Sequence, residues 1–244
     1  MTTTSPLGGE VDPRASAAGE GWRLLPLLAF VLLATILAAT TAHAAGPHLV
    51  DDGGVVDPGA CELEAYFNTS LGPGWRRVLS PTCGFAGLRG WEIGAIIASD
   101  GPQGSLVPGI AGKAALVTKG PVQLGVEASA GFDPEGNQAD YVSTNLAASL
   151  TALHWLVLHG NAGLDHAPGR GVFPTWGLGA TAGVARNWWL TAEAAGRQGF
   201  RTRWQAGLRH IIGRWQFDAM VSHAIDEARA DKWVTLGVVY SFRR

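Results

Sequence analysis

The chain has 244 residues, 47% of them apolar and only 16% charged, with 34 glycines and a formal net charge of -2. A solvated disordered chain would be poorer in apolar residues and richer in charge, so that class is excluded. The near-neutral balance offers no basic field for nucleic acid, and no polyanion partner is expected.

The N-terminus reads as an export signal over residues 1–44. A polar leader ends at Arg23, an apolar stretch runs from Leu24 to Ala39, and Ala42-His43-Ala44 offers a small-x-small cleavage site. An uncleaved anchor is the competing reading, but about 16 apolar residues fall short of the roughly 20 a spanning helix needs. Cleavage would start the mature chain near Ala45, outside the reducing cytosol. Residues 45–60 then form a periplasmic segment or a plug, and residues 61–244 the body of the protein.

From Cys61 onward the apolar residues repeat with period two. In Val122 to Phe132, Val122, Leu124, Val126, Ala128, Ala130 and Phe132 alternate with Gln123, Gly125, Glu127, Ser129 and Gly131. Successive strand residues point to opposite faces, so this is a strand signature and not the 3.6 period of a helix. Tyr141 to Leu164 carries no Asp, Glu, Lys or Arg and could pass for a membrane helix. Yet Ser143, Asn145, Ser149 and Thr151 share one parity, which His159, Asn161 and Gly163 repeat; a helix would scatter them. Two strands with a turn near Ala152-Leu153 are predicted.

About twelve strands follow, at 61–68, 75–83, 86–98, 107–118, 121–132, 140–151, 154–165, 172–184, 187–198, 202–212, 214–224 and 233–242. Their usual length of about 9–12 residues suits a tilted bilayer crossing, whereas soluble sandwich strands run nearer five or six. Short connections (Gly84-Phe85, Lys119-Gly120, Ala185-Arg186, Gly213) alternate with longer ones (99–104, 133–137, 166–171, 226–232), as in a bacterial outer-membrane barrel. The short link before residue 202 fits that alternation least well. The fold class predicted is therefore all-β, a closed antiparallel transmembrane barrel.

Cys61 and Cys83 are the only cysteines. A hairpin with its tip near Gly72 sets them opposite each other at one rim, the separation a disulfide requires. Pairing residues 61–67 with 85–98 would instead leave them at opposite ends. Nothing nearby has zinc-ligand spacing, and no metal or cofactor is called for. Trp75, Trp91, Trp155, Trp176, Trp188, Trp204, Trp215 and Trp233 fall at or near strand ends, where interfacial girdles form; ordinary core tryptophan is the alternative.

At the chain end, Gly237-Val238-Val239-Tyr240-Ser241-Phe242 resembles the C-terminal signature of outer-membrane barrels, which the barrel-assembly machinery reads. Gly237, Tyr240 and Phe242 are its carriers, although Arg243 and Arg244 follow where the aromatic is usually last. The mature chain resembles outer-membrane barrels associated with the meta-pathway of phenol degradation, also described as transporters. The resemblance is carried by DDGGVVDPG at 51–59 followed by CELEAYF, then LHGNAGLD at 158–165, TWGLGA at 175–180, TAEAAG at 191–196 and QAGLRH at 205–210. It implies a barrel fold and passage of small compounds, aromatic ones included, and assigns no functional residue.

Parity sorts the side chains into two faces. Leu156, Leu158, Ala162 and Leu164 should meet outer-membrane lipid. The lumen-lining candidates are Glu92, Lys113, Glu127, Asn145, His159, Asn161, Glu193, Arg197, Arg209 and Asp218, and the same parity turns Glu62, Glu64, Gln123, Asp165 and Gln205 inward. Their mixed signs suit either a hydrated channel or a lattice of paired charges bracing a small barrel. Lumenal glycines (Gly125, Gly163, Gly177, Gly179, Gly207, Gly237) could leave free bore or admit a plug from residues 45–60. His159 with Ser149 or Asp165 is raw material for a barrel hydrolase, but no G-x-S-x-G motif is present. WGLGATAG lacks the lysine of a phosphate loop. The expected function is a porin-like, non-enzymatic channel for passive passage of a small solute; a closed-lumen structural or surface-interaction barrel and a hydrolase are the alternatives.

Overall fold

A computed structural model describes residues 48–70, 74–85, 87–101, 106–133, 138–225 and 232–243. The predicted export signal of residues 1–44, the start of the 45–60 segment and parts of several loops lie outside these residues.

Twelve antiparallel strands form one closed ring. They are β1 Ala60–Ser70, β2 Trp75–Gly84, β3 Trp91–Asp100, β4 Leu106–Lys119, β5 Val122–Asp133, β6 Gln138–Leu153, β7 Leu156–Ala167, β8 Gly171–Ala185, β9 Trp188–Arg197, β10 Arg203–Ile212, β11 Trp215–Ala224 and β12 Lys232–Arg243. Each strand pairs with its neighbours in sequence, and β1 pairs with β12 from Ala60↔Arg243 to Ser70↔Trp233 to close the ring. Closure satisfies the edge strands, which no soluble cap covers. All twelve predicted strands are present.

The alternation of polar and apolar residues decides what each face shows. Outward Leu146, Leu158, Leu164, Leu178, Leu190, Leu208 and Leu236 are all at least 41% exposed, while Lys113, Glu193, Arg209 and Asp218 are 6% exposed or less. Apolar outside and ionisable inside inverts the order of a soluble protein and matches a barrel in lipid.

The links β4–β5, β6–β7, β8–β9 and β10–β11 are tight and share the rim where β1 starts and β12 ends. Asn187 (φ 65) is the one non-glycine residue with positive φ among the described residues, and it serves the β8–β9 turn. Asn tolerates this conformation, which a two-residue hairpin turn demands. The tight turn falls at residues 186–187, one place later than predicted, because a bulge between Gly183 and Ala185 shifts the register. Another bulge, between Thr151 and Leu153, moves the β6–β7 turn to His154-Trp155.

One strand start differs more. The strand expected from residue 86 begins at Trp91, because residues 87–90 form turns. The Leu88 N–H donates to the Phe85 carbonyl and the Trp91 N–H to the Leu88 carbonyl, each at 3.1 Å, and Gly90 takes a φ of 81.

Cys61 and Cys83 pair in register on the first hairpin, with 4.0 Å between Cα atoms, and form a disulfide. Near the same rim Trp215 packs on Tyr240 (ring centroids 4.5 Å) and Tyr240 on Phe242 (5.9 Å), and Trp91, Trp155 and Trp188 are exposed elsewhere around that rim. Trp233 departs from the girdle: its parity on β12 is that of buried Thr235, and it lines an inner cavity.

Candidate functional site

The lumen is where polar chemistry gathers, and strand register arranges it in rows. One row runs Glu92, Lys113, Glu127, Asn145, Gly163 and Thr175 to Arg197 across β3 to β9. A second runs Gln123, Ser149, His159, Gly179, Glu193, Gln205 and Ser222 across β5 to β11. Because opposed residues share a face, each row puts its side chains into the same space.

Residues 48–59 pass through this space. The His48 ring nitrogen Nδ1 lies 2.6 Å from Glu193 Oε1, and the Leu49 N–H donates to Glu193 Oε2 at 2.8 Å. His48 Nε2 also meets the Arg209 guanidinium. Asn161 makes two bonds with Asp51: it accepts from the Asp51 N–H at 2.6 Å and donates to the Asp51 carbonyl at 2.9 Å. The Gly53 N–H donates to Ser149 Oγ at 2.9 Å, and the Val56 N–H to Glu92 Oε2. Lys113 Nζ is 3.0 Å from Asp51 and 3.3 Å from Asp52.

Wall glycines lie under the segment. A β-carbon on Gly84 would stand 2.3 Å from the Val56 carbonyl oxygen, one on Gly125 3.0 Å from the Gly53 oxygen, and one on Gly177 3.0 Å from the Val50 side chain. Gly179 likewise faces Val50 at 3.4 Å. These absent side chains make room for the main chain crossing the lumen.

The predicted candidates divide into two groups. Glu92, Lys113, Glu127, Asn145, Asn161 and Arg197 line a cavity of about 1290 Å³ whose floor includes His48, Asp51, Asp52 and Val56. His159, Glu193, Arg209 and Asp218 are buried and do not line it. Arg209 donates through Nε to Asp218 at 2.9 Å, and Gln205 to Glu193 at 3.4 Å. His159 sits between Ser149 Oγ (2.9 Å) and Thr181 Oγ1 (3.3 Å). The Ser149 hydroxyl also holds the Gly53 N–H, so the Ser-His pair is taken up by structural bonds. Among the described residues no group of three or more His, Cys, Asp or Glu is placed to hold a metal ion.

Sequence reasoning passed over several cavity residues. Asp51 and Asp52 belong to a segment with no strand parity to read. Arg201, Arg203 and Phe200 come from the β9–β10 connection and its edge, and all line the cavity. The Arg197 guanidinium stacks over Phe200 at 3.6 Å, reaches Phe173 at 5.2 Å and pairs with Asp165 at 3.6 Å. The run RQGFRTR was the available signal: three arginines and an aromatic within seven residues at a strand end.

A closed antiparallel ring with an apolar exterior and a polar cavity within defines a transmembrane β-barrel. The chain shares its fold with a KdgM porin solved in complex with disordered oligogalacturonate (TM-score 0.61, 11% identity, covering 75% of this chain and 99% of that one). It is similar also to the NanC porin (TM-score 0.57, 10% identity, covering 74% and 98%). By sequence it belongs to the family described as uncharacterised conserved protein UCP029691, whose profile matches residues 32–242. No curated protein matches it in sequence. The phenol meta-pathway label expected from the sequence is not the family these comparisons return.

Proposed function

We propose that the protein is a porin-like barrel of the Gram-negative outer membrane that passes a small solute passively through its lumen. One observation carries this: a polar cavity of about 1290 Å³ lies inside a wall whose outer face is apolar. Water-filled space bordered by fixed charges and shielded from lipid is what conduction of a polar solute needs. Residues 1–44 would direct export, and the barrel-assembly machinery would read Gly237, Tyr240 and Phe242 on the closing strand.

Residues 48–59 act in this reading as a plug that narrows the lumen. Their contacts with Glu193, Asn161, Ser149, Lys113 and Glu92 also favour a second reading, a barrel sealed for structural or surface roles. The phenol resemblance adds aromatic solutes to the candidates, and Phe200 at the cavity wall suits them. A hydrolase would need Ser149 and His159 reachable from the cavity, and neither lines it.

Purified protein in planar bilayers separates the readings. Discrete conductance steps are expected of the channel. Silence across voltages and salts would leave the sealed barrel.

A further inference from the structure

The rim where β1 starts and β12 ends repeats a pairing that the lumen does not explain. Arg89 stands two residues before Trp91, His154 one before Trp155, Arg186 two before Trp188 and Arg214 one before Trp215. Trp91, Trp188 and Trp215 open β3, β9 and β11 on the parity opposite to inward Glu92, Glu193 and Asp218, so they face lipid. Two of them are held in place: Trp188 stacks at 4.1 Å on His210, whose Nδ1 donates to the Asn187 carbonyl, and Trp215 packs on Tyr240. Lys119, at the end of β4, gives the β4–β5 link a cation without a tryptophan.

No carboxylate answers these cations. Arg89, Lys119, Arg186 and Arg214 are exposed and form no ion pair among the described residues. Residues 85–90, 120–121, 154–155, 186–187 and 213–214 contain no Asp or Glu. Glu92 turns into the lumen, where it accepts from the Val56 N–H, and Asp57 at the same rim is held by Arg243 at 3.4 Å. The links of the opposite rim are mixed in sign, with Glu135, Asp226, Glu227 and Asp231 beside Arg170 and Arg201.

We infer that this rim is a docking ring for anionic phospholipid, whose phosphates are gathered by Arg89, Lys119, Arg186 and Arg214. Exposed tryptophans on a barrel settle at the headgroup level and so fix the depth of the boundary. One or two residues of extended chain reach at most about 7 Å further, which sets the cations among the phosphates. Their apolar stems lie along the wall while the charged ends stay wet. Guanidinium and ammonium groups take phosphate oxygens through charge-assisted hydrogen bonds. A zwitterionic headgroup brings its own ammonium, which these groups repel; a lipid of net negative charge does not. Tight links put the ring on the periplasmic side. The inference concerns the outer wall and stands whether or not the lumen conducts.

The test reads lipid selectivity by electron spin resonance, with the mature chain in phosphatidylcholine vesicles carrying a trace of spin-labelled phosphatidylglycerol or phosphatidylcholine. The motionally restricted fraction of each probe gives its relative association with the wall. Phosphatidylglycerol should be favoured about threefold in low salt, and the ratio should fall to about one in molar salt, where the screening length is about 3 Å. The quadruple variant R89Q/K119Q/R186Q/R214Q should bring the low-salt ratio to about one, and R186Q/R214Q should fall between, a graded readout should the quadruple variant assemble poorly. R77Q/R170Q, which removes two exposed cations at the opposite rim, should leave the ratio unchanged. Heat-modifiable gel mobility reports that each variant folds. A wild-type ratio near one overturns the inference and turns the ring toward an acidic protein partner. Equal loss in the variants of the two rims, or folded variants of this rim that match the wild type, overturns it as well.

Discussion

Gly53 lies so close to Gln123 that a β-carbon on it would stand 2.4 Å from the Gln123 carbonyl oxygen. That contact presses the main chain of the 48–59 segment onto the main chain of β5, which no side chain permits. Gly53→Val should therefore lift the segment from the wall without touching any strand pairing. The expected result is a severalfold rise in single-channel conductance with unchanged heat-modifiable gel mobility. Conductance equal to wild type would show that the segment does not limit the bore.

Lys113 is 5% exposed and holds Asp51 and Asp52 from the segment. Removing one partner of a buried charge group commonly costs about 3–5 kcal/mol, because the remaining charges lose their compensation. Lys113→Met should lower the thermal midpoint in detergent by several degrees. Adding D51N and D52N should restore part of the loss. An additive, unrelieved triple variant would place the stabilisation elsewhere.

The wall was legible in the sequence, whereas for its filling the sequence left a free bore and a plug from residues 45–60 equally open. Leu158, His159 and their neighbours alternate so regularly that face and lumen could be assigned from parity alone, and the closing of β1 on β12 follows once twelve strands are counted. Parity fails where the chain leaves the ladder. His48 meets Glu193 across 145 residues of sequence, and no local pattern foretells such a contact. The glycines at 125, 177 and 179 were ambiguous for the same reason: a missing side chain reads alike whether it frees a bore or seats a segment. Bulges at Gly183 and Thr151 each add a residue that no local pattern marks, so the turns after them lie a residue or two beyond the expected place.

The Cys61–Cys83 bridge spans 22 residues, a loop for which chain-entropy arguments give roughly 3 kcal/mol. The hairpin ladder and the β1–β12 seam already hold these ends together. The double variant C61S/C83S should therefore lose less, about 2 kcal/mol or under, and still form the barrel. Thermal melts with and without reductant check this: a lower midpoint with reductant only for the wild type is expected. Failure of the double variant to fold would give the bridge a larger role.

Phe242 stacks on Tyr240 at the rim and makes no lumenal contact needed by the proposed pore. If the terminal strand is read during assembly, Phe242→Ala should reduce the amount reaching the outer membrane of cells while refolding in detergent proceeds normally. Equal loss in both settings would make the ring a stability element only.

Neighbouring side chains on one strand point to opposite faces of the wall, and Asn145 and Leu146 on β6 test this directly. Both native cysteines are joined, so N145C and L146C each carry a single reactive thiol in a liposome-embedded barrel. A charged, membrane-impermeant maleimide should label Cys at 145, and a lipid-borne spin-label quencher should silence a fluorophore placed at 146 but not at 145. The reverse pattern, or equal behaviour at both positions, would contradict a polar lumen within a lipid-facing wall.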